Sequence, residues 1–162
     1  MVLCIVLAGI VVVLDQVTKL LVVGHIAEYA SAPGIPLLFR LTYVKNTGAA
    51  FGMLQDHRWV FLVFSVVAIA AILLYLWKTK PRSLLTRLAL GMILGGGVGN
   101  MIDRIRLGYV VDFIDLSFMK FAIFNVADSF VTVGCVLLFL YLILETVKEK
   151  RQAAPPAEDA HD

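Results

Sequence analysis

Cysteine, histidine and charge are all thin in this sequence. Of 162 residues, two are cysteine and three are histidine, and 16% are charged. The cysteines, Cys4 and Cys135, both fall inside apolar runs. That placement argues against a disulfide between them and reads them as small buried hydrophobes. There is no Cys-x-x-Cys pair or Cys/His cluster, so a metal site has no support and no cofactor is expected. The basic residues gather beside the apolar runs and form no stripe interleaved with aromatics. Nucleic acid is therefore not an expected partner, and the net charge of +2 does not suggest one.

Hydrophobicity is what the chain has. Sixty per cent of its residues are apolar and the mean hydropathy is +0.91. Soluble domains hold roughly 45–50%. Trp59–Trp77 contains no charged residue and is long enough to cross about 30 Å of hydrocarbon. The class is an integral membrane protein. The N-terminus has no basic leader and its apolar stretch runs past any plausible cleavage point, so it reads as a retained first span.

Four spans are expected: Val2–Val23, Trp59–Trp77, Leu84–Ile102 and Asn125–Thr146. Gly91, Gly95 and Gly99 recur at four-residue spacing in the third, which suits close helix packing. Lys78, Lys80, Arg82 and Arg87 join spans two and three, and Lys148, Lys150 and Arg151 follow span four. The positive-inside rule places these, and both termini, in the cytoplasm. The connections Gly24–Arg58 and Asp103–Phe124 then lie outside. Leu38–Val44 and Tyr109–Leu116 within them are β-branched and aromatic. The expected fold is an all-α membrane bundle of four transmembrane helices with a small extracytoplasmic β-rich cap. Residues 1–147 form one domain, and 148–162 are expected to be a disordered cytoplasmic tail.

This topology gathers the polar residues at one depth. Asn100, Asp103 and Arg104 end span three and share a helix face. Asn125 and Asp128 open span four. Asp15 and Lys19 approach the outer end of span one, and Asp112 sits on an outer strand. Asp112 and Asp115 fall on opposite strand faces, so only one can point at the helices; Asp112, between Val111 and Phe113, is the choice. Two carboxylates brought together can share one proton and hydrolyse a bond: one takes a proton from water, the other gives one to the substrate. Ser129 and Thr132 lack a His or Lys base within obvious reach, which disfavours a serine hydrolase.

Simpler readings stand beside these. Asp15 and Lys19, at i and i+4, can neutralise each other. Asp103 with Arg104 can be an interfacial anchor pair, Asn46-Thr47-Gly48 an ordinary turn, and Asn125 a helix N-cap. Asp128 has the weakest bland reading, since no cation lies at helical spacing from it. From topology alone a small proton-coupled transporter or a non-enzymatic scaffold also remains open. Against the transporter, the carboxylates cluster at one face and no internal repeat is visible.

Five motifs occur in order: Asp15-Gln-Val-Thr-Lys19, Lys45-Asn46-Thr-Gly48-Ala49-Ala50-Phe51, Gly99-Asn100-Met-Ile-Asp103-Arg104, Val111-Asp112-Phe113 and Phe124-Asn125-Val-Ala-Asp128-Ser129. Together they resemble signal peptidase II, the prolipoprotein signal peptidase family, over about residues 5–147. The resemblance implies an aspartyl endopeptidase of the bacterial inner membrane. It would remove the signal peptide from diacylglyceryl-modified prolipoproteins, cutting just before the lipidated cysteine. Asp112 and Asp128 would be the catalytic pair, with Asn46, Gly48, Asn100, Arg104 and Asn125 lining the site and Asp15, Lys19 and Asp103 supporting it. The implied partners are the prolipoprotein, membrane lipid and a globomycin-type inhibitor, with the enzyme a monomer and its site near the outer leaflet. Gly48, Gly52 and Gly108 are candidate hinge points for loops that gate access.

Overall fold

The computed structural model of the chain describes residues 1–48 and 57–153. In chain order the elements are α1 (Val2–His25), β1 (Ser31–Ile35), β2 (Phe39–Asn46), α2 (Arg58–Thr79), α3 (Leu84–Arg106), β3 (Val110–Leu116) and α4 (Val126–Ala153). All four helices are long and apolar enough to cross a membrane.

The burial pattern along α1 shows how the bundle is built. Its buried residues are Cys4, Ala8, Val11, Asp15, Lys19 and Val22. They step by three or four positions and so form one stripe down the helix. Asp15 and Lys19 belong to that stripe and face the bundle, whereas Val13, Leu20 and other large apolar residues face outward. An outward apolar surface is what lipid requires. α3 is the central helix and packs against α1, α2 and α4. α2 lies at the edge, packs against α3, and buries only Leu76.

Lipid is as apolar as leucine, so such helices associate through close packing rather than through the hydrophobic effect. Small residues allow it here. A Cβ on Gly95 would lie 2.7 Å from the Ala8 carbonyl oxygen of α1, and one on Gly96 would strike the Ala127 carbonyl of α4. Gly91 likewise faces Cys4 of α1. Gly99 serves a different end: its missing side chain leaves room for the Asp15 carboxylate, 2.6 Å from where a Cβ would stand.

The three strands form an antiparallel sheet in the order β1-β2-β3. The two expected strands are present with slightly shifted ends. β1 was not expected, because Pro33 and Gly34 interrupt its short run. A register shift between Leu41 and Val44 bends β2. The sheet seats Tyr43, Val111 and Phe113 against Val22 near the end of α1. Gly108, at φ 86°, turns the chain from α3 into β3 through a backbone conformation that disfavours side chains.

Most helix ends fall within two residues of expectation, and two lie further out. α3 continues through Arg106, so Asp103 and Arg104 are within the helix. α4 continues through Ala153, so the start of the expected disordered tail at Lys148 is helical. Lys148, Glu149 and Lys150 are good helix formers, so the apolar helix runs on through them at little cost. Ala49, Ala50, Phe51 and Gly52, and the tail from 154, lie outside the described residues.

Candidate active site

The junction of α4 with the loop before it supplies the first part of the site. Asn125 Oδ1 accepts the backbone N–H of Asp128 at 2.9 Å, and Asp128 Oδ2 accepts the backbone N–H of Asn125 at 3.2 Å. This reciprocal pairing is a capping box built from Asn and Asp. It satisfies free N–H groups of the first helical turn and fixes the Asp128 side chain. Asn125 is thus a cap, as the simpler reading held, and its amide does more. Its Nδ2 donates to Asp112 Oδ1 at 2.7 Å and to Asn100 Oδ1 at 3.0 Å.

β3 brings Asp112 to the same place. The strand alternation separates the two strand carboxylates as expected. Asp112 is 2% exposed and meets amides, while Asp115 turns to Arg40 and Thr42 at 2.6 and 3.0 Å. Asn46 on β2 donates through Nδ2 to Asp112 Oδ2 at 2.8 Å, and its Oδ1 accepts the N–H of Gly48 at 2.9 Å. The Asn46-Thr47-Gly48 segment is therefore a turn whose closing side chain also grips Asp112.

From α3, Asn100 Nδ2 donates to Asp128 Oδ1 at 2.7 Å. Hydrogen bonds thus connect Asp112, Asn125, Asn100 and Asp128 in one chain. Each amide orientation is dictated by an obligatory donor on its oxygen: Gly48 N–H for Asn46, Asp128 N–H for Asn125, and the Lys19 ammonium for Asn100. The nitrogens then have to face carboxylates. Burial, first, and the neighbouring Asp128 carboxylate push the Asp112 pKa up to about 7, against the amide donors Asn46 and Asn125 and the Lys19 charge, which lower it.

Behind this layer lies an ion cluster. Lys19 Nζ is 2.9 Å from both Asp15 Oδ2 and Asp103 Oδ2. Asp15 and Lys19 do pair, as the simpler reading of them held, and Asp103 joins them. The anchor-pair reading of Asp103 with Arg104 is not what is seen. One helical step apart, the two side chains diverge: Asp103 faces Lys19, while Arg104 lies over the Phe61 ring at 4.9 Å and donates to the Gly48 carbonyl at 3.4 Å. Gln16 also belongs to the cluster, donating to Asp103 Oδ1 at 2.9 Å and Asp15 Oδ2 at 3.2 Å. Sequence reasoning passed over Gln16 and Phe61. A second polar residue beside Asp15 in an apolar run was a signal for Gln16; nothing local marked Phe61.

Asp112 and Asp128 open onto one cleft of about 720 Å³, with Asn46, Gly48, Asn100 and Arg104 also in its wall. Leu116, Met119, Phe121, Phe124 and Val133 make the remainder largely apolar. Such a cleft suits a ligand with a greasy body and one polar point of reaction. Ser129 lines it too, but its hydroxyl donates to the Asn125 carbonyl at 2.9 Å. Among the described residues no group of His, Cys, Asp and Glu is placed to hold a metal ion.

Comparison with known proteins agrees with this architecture. The family profile of signal peptidase II matches residues 7–144. The lipoprotein signal peptidase of Symbiobacterium thermophilum is 53% identical over 144 residues, covering 88% of this chain and 95% of that protein. The lipoprotein signal peptidase of Streptococcus pyogenes serotype M2 is 49% identical over 133 residues, covering 82% and 88%. A bacterial membrane enzyme solved in meso at 2.3 Å resolution superposes with a TM-score of 0.85 at 30% identity, covering 98% of this chain and 93% of that one. A second, solved at 1.9 Å, gives 0.79 at 34% identity, covering 86% and 91%.

Proposed function

The chain belongs to the signal peptidase II family, and on that premise we propose that Asp112 and Asp128 are its catalytic pair. The enzyme is an aspartic-type endopeptidase of the bacterial membrane that removes signal peptides from prolipoproteins. The single observation that carries the residue assignment is the shared hydrogen-bond chain. It holds two carboxylates from different elements at the wall of one cleft, with their amide neighbours locked as donors.

The chemistry follows from that arrangement. Near neutral pH the pair holds one proton, because two buried carboxylates close together resist double ionisation. The ionised member draws a proton from water, and the oxygen of that water attacks the scissile carbonyl carbon. The neutral member donates its proton to the carbonyl oxygen. As the tetrahedral intermediate collapses and its C–N bond breaks, the carboxyl that took the first proton passes it to the leaving nitrogen, and the other recovers its proton from a hydroxyl of the intermediate. Asn46 and Asn125 hold Asp112, and Asn100 with the Asn125 backbone holds Asp128, so neither swings during the reaction. The Arg104 guanidinium, which already donates to the Gly48 carbonyl, can donate likewise to a substrate carbonyl at the mouth.

The substrate's diacylglyceryl group occupies the apolar part of the cleft and the signal helix lies in the bilayer beside it. Cleavage then falls just before the lipidated cysteine. A globomycin-type depsipeptide would compete for the same cleft. Both termini and the basic α2–α3 connection face the cytoplasm, which puts the site near the outer leaflet surface. Residues 1–147 act as one domain, and the unit is a monomer.

The test is cleavage of a diacylglyceryl-modified prolipoprotein in detergent with EDTA present, using wild type, Asp112→Asn and Asp128→Asn. Both folded variants should be inactive while wild type cuts before the lipidated cysteine. Near-wild-type activity in either would show the pair to be misassigned.

A further inference from the structure

Lys19 makes no contact with the cleft. It lines a separate pocket of about 110 Å³ behind the site, with Gln16, Asp103 and Tyr109. Its side chain is almost fully buried, yet all three of its N–H bonds are committed: to Asp15 Oδ2, Asp103 Oδ2 and Asn100 Oδ1, each at 2.9 Å. An ammonium has three donors and no acceptor, so this set is complete.

Each of the three partners leads to one catalytic carboxylate. Asn100 accepts from Lys19, and from Asn125, through its oxygen and so presents its nitrogen to Asp128. Asp103 Oδ2 also accepts the backbone N–H of Val111, at 3.1 Å, and Val111 immediately precedes Asp112. Asp15 Oδ1 accepts the backbone N–H of Ala127, at 3.0 Å, and Ala127 immediately precedes Asp128. One ammonium therefore ties the strand bearing Asp112 and the helix start bearing Asp128 to a common point.

We propose that Lys19 is the positioning residue of this active site: through Asp103, Asp15 and Asn100 it sets the spacing of the Asp112–Asp128 pair and the donor polarity that Asp128 meets. This rests on the reading of Asp112 and Asp128 as the catalytic pair. The competing account is that Lys19 merely neutralises two buried acids. The two accounts separate cleanly. If neutralisation is all that matters, removing the three charges together restores the enzyme, since buried ion groups are often replaceable as a set. If positioning matters, the neutral set lacks the ammonium's three directed bonds and stays impaired.

The experiment compares wild type, Lys19→Met and the triple variant Asp15→Asn/Lys19→Met/Asp103→Asn in detergent, with a diacylglyceryl-modified prolipopeptide. It reads kcat, KM and the pH profile of kcat/KM, with folding checked by circular dichroism. Misplacement by about an ångström costs about 100-fold in rate. We expect kcat to fall by about 100-fold in both variants, KM to stay within about twofold, and the pH profile to shift because the backbone before Asp112 and before Asp128 is no longer tied to one point, which changes the spacing of the pair. A triple variant with kcat within about threefold of wild type and an unshifted profile overturns the proposal; so does a loss carried by KM. If Lys19→Met does not fold, the triple variant carries the test. If the triple variant also fails to fold, Lys19 belongs to the scaffold and the proposal is overturned. Asp112→Asn and Asp128→Asn run alongside: activity in either refutes the pair itself, whereas an inactive pair with an active triple variant refutes only the positioning role.

Discussion

Asn46→Ala offers the sharpest test of the electrostatics of the site. Asn46 Nδ2 donates to Asp112 Oδ2 at 2.8 Å, and Asp112 is buried with a pKa pushed up to about 7. The amide stabilises the ionised carboxylate, so its removal must raise that pKa further. A hydrogen bond to a charged group contributes about 1.5–3 kcal/mol. Water entering the vacated space recovers part of this, so the lower figure applies. One pKa unit corresponds to about 1.36 kcal/mol, which gives a rise of about one unit. Loss of the proton held on Asp112 removes an acid that the proposed reaction needs. The alkaline limb of kcat/KM against pH should therefore move up by about one pH unit. The assay is cleavage of a fluorogenic diacylglyceryl peptide across about pH 5 to 9 in detergent. Asn46 also closes the turn at Gly48 through its Oδ1, so KM is expected to rise as well. The position of the limb is independent of that rise. An unmoved limb, or one displaced to lower pH, would refute the assignment of Asn46 as a donor to an ionising Asp112.

Three other outcomes follow from the geometry. The folded Asp112 binds its proton up to about pH 7 but the unfolded chain only to about 3.8. Native protein thus holds the extra proton between those values, and stability falls as pH rises through that window, by at most roughly 4 kcal/mol; thermal midpoints of wild type should decline there and those of Asp112→Asn should decline less. Gly96→Ala should cost about 1–3 kcal/mol and most of the activity, because the new methyl strikes the Ala127 carbonyl beside Asp128. Gly97→Ala, whose nearest neighbour is Ile69 at 4.0 Å, should be tolerated; equal thermal shifts and equal rates for the two would contradict the packing. Asp115→Asn should leave cleavage near wild type, since its partner Arg40 is largely exposed and such pairs contribute little. A severe loss there would mean that Asp115, not Asp112, points at the helices.

The bundle and the general location of the site were legible because they depend on local chemistry. Apolar length alone marks a span, and strand periodicity alone sends Asp112 and Asp115 to opposite faces. Five short motifs then identified the family, and with it the peptidase reading over the transporter that topology alone left open. Boundaries were less legible. The end of α3 at Arg106 carries charged residues that a hydropathy reading stops before, although the helix does not. β1 was hidden by Pro33 and Gly34, which only an edge strand tolerates.

Residue order alone thus leads to a four-span membrane peptidase with acids and amides gathered at one end. Which of those residues touch was decided only by tertiary structure. Asp103 and Arg104 are neighbours in sequence, yet one turns to Lys19 and the other to Phe61. Asp15 and Ala127 are separated by most of the chain, yet are joined by a hydrogen bond. Helical spacing gives the face a residue occupies but not what stands opposite it. That depends on how closely α1, α3 and α4 approach, which Gly95, Gly96 and Gly99 allow through side chains they lack.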